Sequence, residues 1–289
     1  MVTVTQAGTT SCSTTVVRGL DRQLIAQMNR LVSGALVDFS SPKIRLGQAV
    51  WPFLQPAAKR ALDRAVANRG QTLIVNSAYR TIAQQLLLFQ QAQANRCGIT
   101  IAAEPGKSNH QSGLALDIED HAGWRPFLEA QGWKWLGPSD PVHFDFKGAG
   151  VRDIRSTAIL AFQQLWNQNN PNDRIAEDGQ WGPNTATRLG KSPANGFANG
   201  PTLDTPIGSG GSVELGDRLL QLTRPLLEGD DVRQVQQALV RNGFQSTIDG
   251  FFGPKTEEAV KAFQQQKQLQ PVDGIVGPAT LAALGLSSS

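Results

Sequence analysis

The 289-residue chain predicts an α+β domain, with a small antiparallel sheet flanked by helices, followed by a small all-α domain of three helices. Three observations carry this. Short segments such as Gly113 to Ile118 and His143-Phe144-Asp145-Phe146 alternate apolar and polar residues, as strands do. Longer segments between them repeat apolar residues at helical spacing. After Gly150 the pattern Asp-Gly-x-x-Gly-Pro-x-Thr occurs three times, at Asp178 to Thr185, Asp249 to Thr256 and Asp273 to Thr280, each leading into a short apolar helix.

The elements follow in order. Residues 1–17 are rich in Thr and Ser and predict an extended arm, bounded at residue 19. Leu20 to Leu36 and Pro56 to Asn68 read as helices; in the second, Ala58, Leu62 and Val66 recur every four residues on one face. Thr72 to Asn76 reads as a buried strand, and Thr81 to Asn95 as a Gln-rich helix. In Gly113 to Ile118, Leu114, Leu116 and Ile118 share one face, while Ala115 and Asp117 share the other. His143 and Asp145 likewise oppose Phe144 and Phe146. Two neighbouring strands of this kind bury one face and present Asp117 and His143 together on the other.

Each repeat combines an Asp-Gly turn with a Gly-Pro step, which places Pro at the first helical position, where its missing N–H costs nothing. In the last domain, helix one carries Val232, Val235 and Leu239, helix two Ala259, Val260 and Phe263, and helix three runs from Pro278 to Leu284, stopped by Gly285. Ala161-Phe162-Gln163-Gln164 matches Ala262-Phe263-Gln264-Gln265, so residues 151–195 read as a partial copy without its first helix, packed against the preceding domain. The expected divisions are an arm (1–19), a first domain (20–150), the partial repeat (151–195), a Gly-, Pro-, Ser- and Asn-rich linker (196–223) and a last domain (224–289).

Composition narrows the class. Hydrophobic residues at 40% and charged residues at 18% fit a folded globular chain and exclude a disordered one. The net charge of +3 comes without a Lys/Arg run, so no nucleic-acid partner is expected. No apolar stretch approaches the ~18 residues of a membrane span, and the first residues lack the basic and apolar regions of a secretory signal. A monomer is expected. Cys12 and Cys97 either pair, if the protein is exported, or remain two free thiols.

The chemistry concentrates in Ser108-Asn-His-Gln-Ser-Gly-Leu-Ala-Leu-Asp117 and Asp140-Pro-Val-His-Phe-Asp145. Together they offer two imidazoles, His110 and His143, and a carboxylate, Asp117, as metal ligands. Three protein ligands with an open position make a catalytic rather than a structural zinc site. Asp140, three residues before His143, either handles the proton of an activated water or merely shapes the Asp-Pro turn. Asp145 either orients a metal ligand or is a solvated strand carboxylate. His121 matches no motif and reads as a loop residue. The pattern predicts metal-assisted hydrolysis.

The motif Ser-x-His-x-x-Gly-x-Ala-x-Asp followed by Asp-x-x-His-Phe resembles that of the zinc D-Ala-D-Ala peptidases and related lysins, the M15 peptidases, over about residues 20–147. The resemblance implies Zn2+ held by His110, Asp117 and His143, with Asp140 as the catalytic acid/base; some relatives have Glu there. Ser77-Ala78-Tyr79-Arg80-Thr81 looks like the family's Ser-Gly-Tyr-Arg segment, with Ala78 in place of Gly. It implies that Arg80 faces the substrate, though a surface salt bridge is the duller reading. Ser108, Tyr79, Gln84 and Trp135 are the substrate-binding candidates. Tyr79 could instead be core, Ser108 a turn former, and Trp133 and Trp135 a half-buried strand.

Residues 224–286 resemble a peptidoglycan-binding domain of the small three-helix type. Trp181, Phe251 and Phe252, in the repeat turns of the partial copy and of this domain, either stack on sugars or fill cores. The joint resemblance implies an extracytoplasmic peptidoglycan peptidase acting on stem peptides and held on the glycan. It would be a D-Ala-D-Ala carboxypeptidase, or a lysin-type endopeptidase cutting within the stem, between L-Ala and D-Glu, or at a cross-link. A non-catalytic wall-binding protein is the reading from another class.

Overall fold

The computed structural model describes residues 1–203, 211–224 and 226–286. In chain order these form α1 (Val4–Thr10), α2 (Arg18–Leu31), β1 (Val37–Asp38), β2 (Ile44–Leu46), β3 (Phe53–Leu54), α3 (Pro56–Arg69), β4 (Leu73–Ser77), α4 (Ile82–Gln93), β5 (Ala115–Ile118), α5 (His121–Glu129), β6 (Trp133–Trp135), β7 (His143–Phe146), α6 (Arg155–Asn169), α7 (Pro183–Lys191), α8 (Asp230–Arg241), α9 (Pro254–Gln266) and α10 (Pro278–Ala283). The chain divides into two compact units, Met1–Ala94 with Ile101–Gly211, and Asn95–Thr100 with Ser212–Ser289. The fold is α+β, as expected.

In the first unit the strand order is β6-β7-β5-β4-β2. All neighbours run antiparallel except β2 and β4, which are parallel, so this sheet is mixed. α3 begins at Pro56 in its first turn and stops at Gly70 in the left-handed region. Its Ala57, Ala58, Ala61, Leu62, Ala65 and Val66 are buried, and all six belong to a core that also holds Leu73, Val75, Leu116, Ile118 and Phe144 of the sheet.

A second core of this unit corrects the expected domain plan. Residues 4–10 are helical, not extended: Thr3 caps α1 in a reciprocal box with Gln6. Val4 and Ala7 join Leu20, Leu24, Ile25 and Met28 of α2, Leu86 and Leu87 of α4, Phe162 and Leu165 of α6 and Leu189 of α7 in one apolar cluster. The partial repeat thus shares a core with the N-terminal helices. α2 ends at Leu31, short of Leu36, and Gly34 turns the chain with φ of +70°. His121, read as a loop residue, opens α5, because the Asp120 side chain accepts the Gly123 N–H and caps that helix.

The linker expected at 196–223 lies partly outside the described residues, at 204–210. The described ends are anchored, each in its own unit. The carboxamide of Gln23 donates to the Phe197 carbonyl and accepts from its N–H, at 2.7 and 2.8 Å. Leu220 exchanges two backbone bonds with Val276, at 3.1 and 2.8 Å. Both cysteines are disulfide-bonded, so the free-thiol alternative falls.

In the second unit α8, α9 and α10 surround Val232, Val235, Leu239, Phe252, Val260, Phe263 and Leu281. Phe252 fills this core, so it has no face left for a sugar. The structure also explains the three repeats. In each, a buried glutamine on the preceding helix reads the turn with one carboxamide. Gln236 Nε2 donates to Asp249 Oδ1, the Phe251 carbonyl and Thr256 Oγ1, while Oε1 accepts from the Gly250 N–H. Gln264 does the same with Asp273, Ile275, Thr280 and Gly274, and Gln163 with Asp178, Gln180, Thr185 and Gly179. The glycine of each turn has φ between +66° and +81°. The repeated Asp, Gly and Thr are therefore the turn's answer to one glutamine.

Gln236 is fully buried. Gln236→Ala would strand several of these partners, at about 1–3 kcal/mol for each buried group left unpaired. We expect about 3 kcal/mol lost from this unit in urea unfolding; a loss under about 1 kcal/mol would show that the turns hold their shape alone.

Candidate active site

A 3-10 turn, Asn109–Ser112, carries His110 and ends at Gly113 with φ of +62°. A Cβ at Gly113 would lie 2.6 Å from Leu36 Cδ2 and 3.3 Å from the Gln55 nitrogen, so both conformation and space require glycine. The chain then enters β5, where Asp117 pairs directly with His143 of β7. On the other side of β5, the ladder with β4 is irregular between Val75 and Ser77, and Ser77 pairs with Asp117. Three residues on, the Arg80 N–H donates to the His110 carbonyl at 3.2 Å.

These elements converge three donor atoms. His110 Nε2 lies 3.3 Å from His143 Nδ1 and 3.3 Å from Asp117 Oδ1, and His143 Nδ1 lies 2.9 Å from Asp117 Oδ1. Both tautomers are set from behind. His110 Nδ1 lies 2.7 Å from the Ala78 carbonyl, which can only accept, so Nδ1 carries the proton and Nε2 the lone pair. His143 Nε2 lies 3.0 Å from Asp145 Oδ1, which likewise turns the Nδ1 lone pair toward Asp117. Lone pairs from two imidazoles and a carboxylate thus face one another, an arrangement that repels unless a cation sits among them. Ligands about 2.0–2.1 Å from a tetrahedral zinc stand roughly 3.3 Å apart, so the triangle fits that ion.

The electrostatics agree. Burial pulls the His143 pKa down, but bonds to Asp117 and Asp145 outweigh it and push it up to about 10. Burial would raise Asp117, but the charge and hydrogen bonds of His110 and His143 hold it well below the usual carboxylate range. Burial lowers His110. The pocket attracts positive charge. Asp145, 9% exposed, also accepts from Asn109 Nδ2 at 2.9 Å and from Lys147 Nζ at 3.1 Å. It is therefore the orienting partner of His143 and not a solvated carboxylate.

Arg80 lies beside this triangle. Its Nη2 donates to Ser77 Oγ at 2.9 Å and approaches Asp117 Oδ2 at 3.4 Å, and Nη1 donates to Gln85 Oε1 at 3.0 Å. The charge of Asp140 reaches Arg80, Asp117 and His143. Burial and the neighbouring Asp117 carboxylate raise the Asp140 pKa.

The other substrate-binding candidates divide. Tyr79 is 2% exposed and belongs to the core with Trp51, so it lines no groove. Gln84 is also buried: its carboxamide accepts from the Thr81 N–H and donates to Thr14 Oγ1 and the Ala49 carbonyl, which makes it a helix-capping residue. Both were misassigned because a motif places residues in sequence without saying which way each faces. Ser108 is buried and precedes the 3-10 turn, its carbonyl accepting from Gln111 N–H. Trp135 packs on the sheet core as a half-buried strand residue, with its Nε1–H on the Pro141 carbonyl at 2.8 Å and Arg125 over its ring. It braces the Asp140 loop. Asn109 and the Ala78 carbonyl went unnoticed in the sequence, since only the fold brings them behind the imidazoles.

Residues 54–146, which include Arg80, His110, Asp117, Asp140 and His143, match the family model for D-alanyl-D-alanine carboxypeptidase. Residues 228–284 match the model for the peptidoglycan binding domain. Among curated relatives, N-acetylmuramoyl-L-alanine amidase CwlL of Bacillus licheniformis is 37% identical over 120 residues, 38% of this chain and 31% of that protein. N-acetylmuramoyl-L-alanine amidase CwlH of Bacillus subtilis (strain 168) is 34% identical over 119 residues, 38% of this chain and 48% of that protein. An uncharacterized protein from the bpoA1 3' region of Kitasatospora aureofaciens is 42% identical over 73 residues, 23% of this chain and 61% of that protein. The chain thus spans less than half the length of the two amidases. Residues 54–146 are thus similar to the D-alanyl-D-alanine carboxypeptidase family and hold the His110–Asp117–His143 cluster, and residues 228–284 are similar to a peptidoglycan binding domain.

Proposed function

We propose that this protein is a zinc-dependent peptidoglycan hydrolase that cuts stem-peptide amide bonds outside the cytoplasm, as a D-Ala-D-Ala carboxypeptidase held on the wall by its C-terminal domain. The observation that carries the reading is the triangle of His110 Nε2, Asp117 Oδ1 and His143 Nδ1, with both imidazole tautomers set from behind. When bound there, zinc supplies Lewis acidity, making water nucleophilic near neutral pH and polarising a carbonyl. Asp140 takes the proton of the attacking water and returns it to the leaving amine. Arg80 offers its remaining N–H groups to the carbonyl oxygen under attack or to the substrate's terminal carboxylate. The C-terminal domain raises the local concentration of substrate without touching the chemistry. Among the described residues no helix is long and apolar enough to cross a membrane.

Mass spectrometry of defined muropeptides, incubated with and without a chelator, tests this. Loss of one alanine, suppressed by chelator, is expected. A split stem or cross-link would instead make the protein an endopeptidase, and release of the stem from its sugar would follow the names of the amidase relatives. No product at all from a zinc-loaded protein would sink the enzymatic reading.

A further inference from the structure

We infer that Asp21, on α2 and outside the segment matched to the carboxypeptidase family, is a positioning residue that fixes Arg80 from behind through Thr81 and Trp51. The inference rests on Arg80 being the substrate-facing cation of the proposed reaction.

Asp21 is 0% exposed. One carboxylate oxygen accepts from Thr81 Oγ1 at 2.5 Å, the other from Trp51 Nε1 at 3.0 Å. Both donors are themselves buried. Thr81 follows Arg80 directly and caps α4, its Oγ1 accepting from the Gln84 N–H at 3.2 Å. Trp51 forms an antiparallel bridge with Tyr79, which precedes Arg80 directly. One carboxylate therefore ties both chain neighbours of Arg80 to α2, one through a hydroxyl and one through the backbone. Arg80 in turn spans Ser77, Gln85 and Asp117, and its N–H holds the His110 carbonyl.

Stability alone does not call for this arrangement. A carboxylate taken out of water is costly, and burial raises the Asp21 pKa to about 7 against the pull of Thr81 and Trp51. An apolar residue would avoid that cost but could not grip a hydroxyl and an indole at once. The clamp's return is geometric: the guanidinium has to meet a developing charge to within a fraction of an ångström. The helix α2, beyond the family segment, is thereby part of the catalytic unit.

The test is a double-mutant cycle of Asp21→Asn with Arg80→Ala on a muropeptide ending in D-Ala-D-Ala. Asp21→Asn keeps the volume but cannot accept from both Thr81 and Trp51. We expect it to lower kcat/KM about tenfold in the wild-type background and less than twofold beside Arg80→Ala, because the two residues act through one interaction. Equal losses in both backgrounds would mean a general structural role and overturn the inference. Thr81→Ser, which keeps the hydroxyl, should stay near wild type; a tenfold loss there would also overturn it. A second readout does not need turnover. In 1H–15N spectra the Arg80 guanidinium Nε–H resonance should shift and broaden in Asp21→Asn, and an unmoved resonance in a folded variant refutes the clamp even if no hydrolysis is seen. Absence of hydrolysis by the wild type, with that resonance displaced, would instead count against the proposed reaction and leave the clamp standing. If Asp21→Asn does not fold, Thr81→Val carries the same measurements, since it removes the hydroxyl that Asp21 holds.

Discussion

Asp140→Ala is expected to keep its metal and lose turnover by about 10²–10⁴-fold, the range that general acid–base catalysis contributes. In the proposed reaction the side chain transfers a proton and does not ligate the ion. It is not among the three residues whose donor atoms converge, and it reaches the cluster as a charge that feels Asp117, His143 and Arg80. Burial and the Asp117 carboxylate raise its pKa. Removing it leaves His110, Asp117 and His143 with their partners intact. Metal content by elemental analysis and turnover of a muropeptide together check this. A variant that loses its metal would make Asp140 a ligand, and one that keeps full turnover would leave the aspartate as a turn former.

His143→Ala is expected to empty the site. Its Nδ1 is one of three donors, and its loss also frees Asp145, which would face Asn109 and Lys147 alone. Two remaining ligands cannot close the face of a tetrahedral ion. Zinc affinity should therefore fall by more than the 10–100-fold that typically follows loss of an orienting partner. Hydrolysis should drop to background. Competition with a chromogenic chelator reads the affinity, and thermal unfolding of metal-free samples shows whether the fold survives. A variant that still holds one equivalent of zinc at wild-type affinity would place the ion elsewhere.

The two experiments divide the site between holding the ion and moving the proton. In the proposed reaction Asp21 adds a third role, holding the Arg80 cation in place. The repeated turns of the C-terminal unit are built around Gln236 and Gln264, and none of the proposed site residues lies there.

By itself the sequence determined whatever depends on a local period. A strand shows alternate residues on one face, so Asp117 and His143 could be placed together from two short segments, and their pairing across β5 and β7 follows. The repeats announced their turns and helices, because Asp-Gly favours a tight turn and Pro the first position of a helix, both geometries set within a few residues. Only the tertiary structure decided what depends on distant neighbours. Tyr79, Arg80 and Thr81 are consecutive, yet one fills the core, one faces the site and one grips Asp21 sixty residues away. Which of them faces the substrate depends on where α2 lies, and no short window of sequence contains that. The arm at residues 1–17 looked extended, and the first-domain partners of the partial repeat could not be named, for the same reason. Their apolar faces are incomplete alone and become one core only when α1, α2, α4, α6 and α7 meet. Burial is a property of the whole chain, and the local pattern records only the need for it.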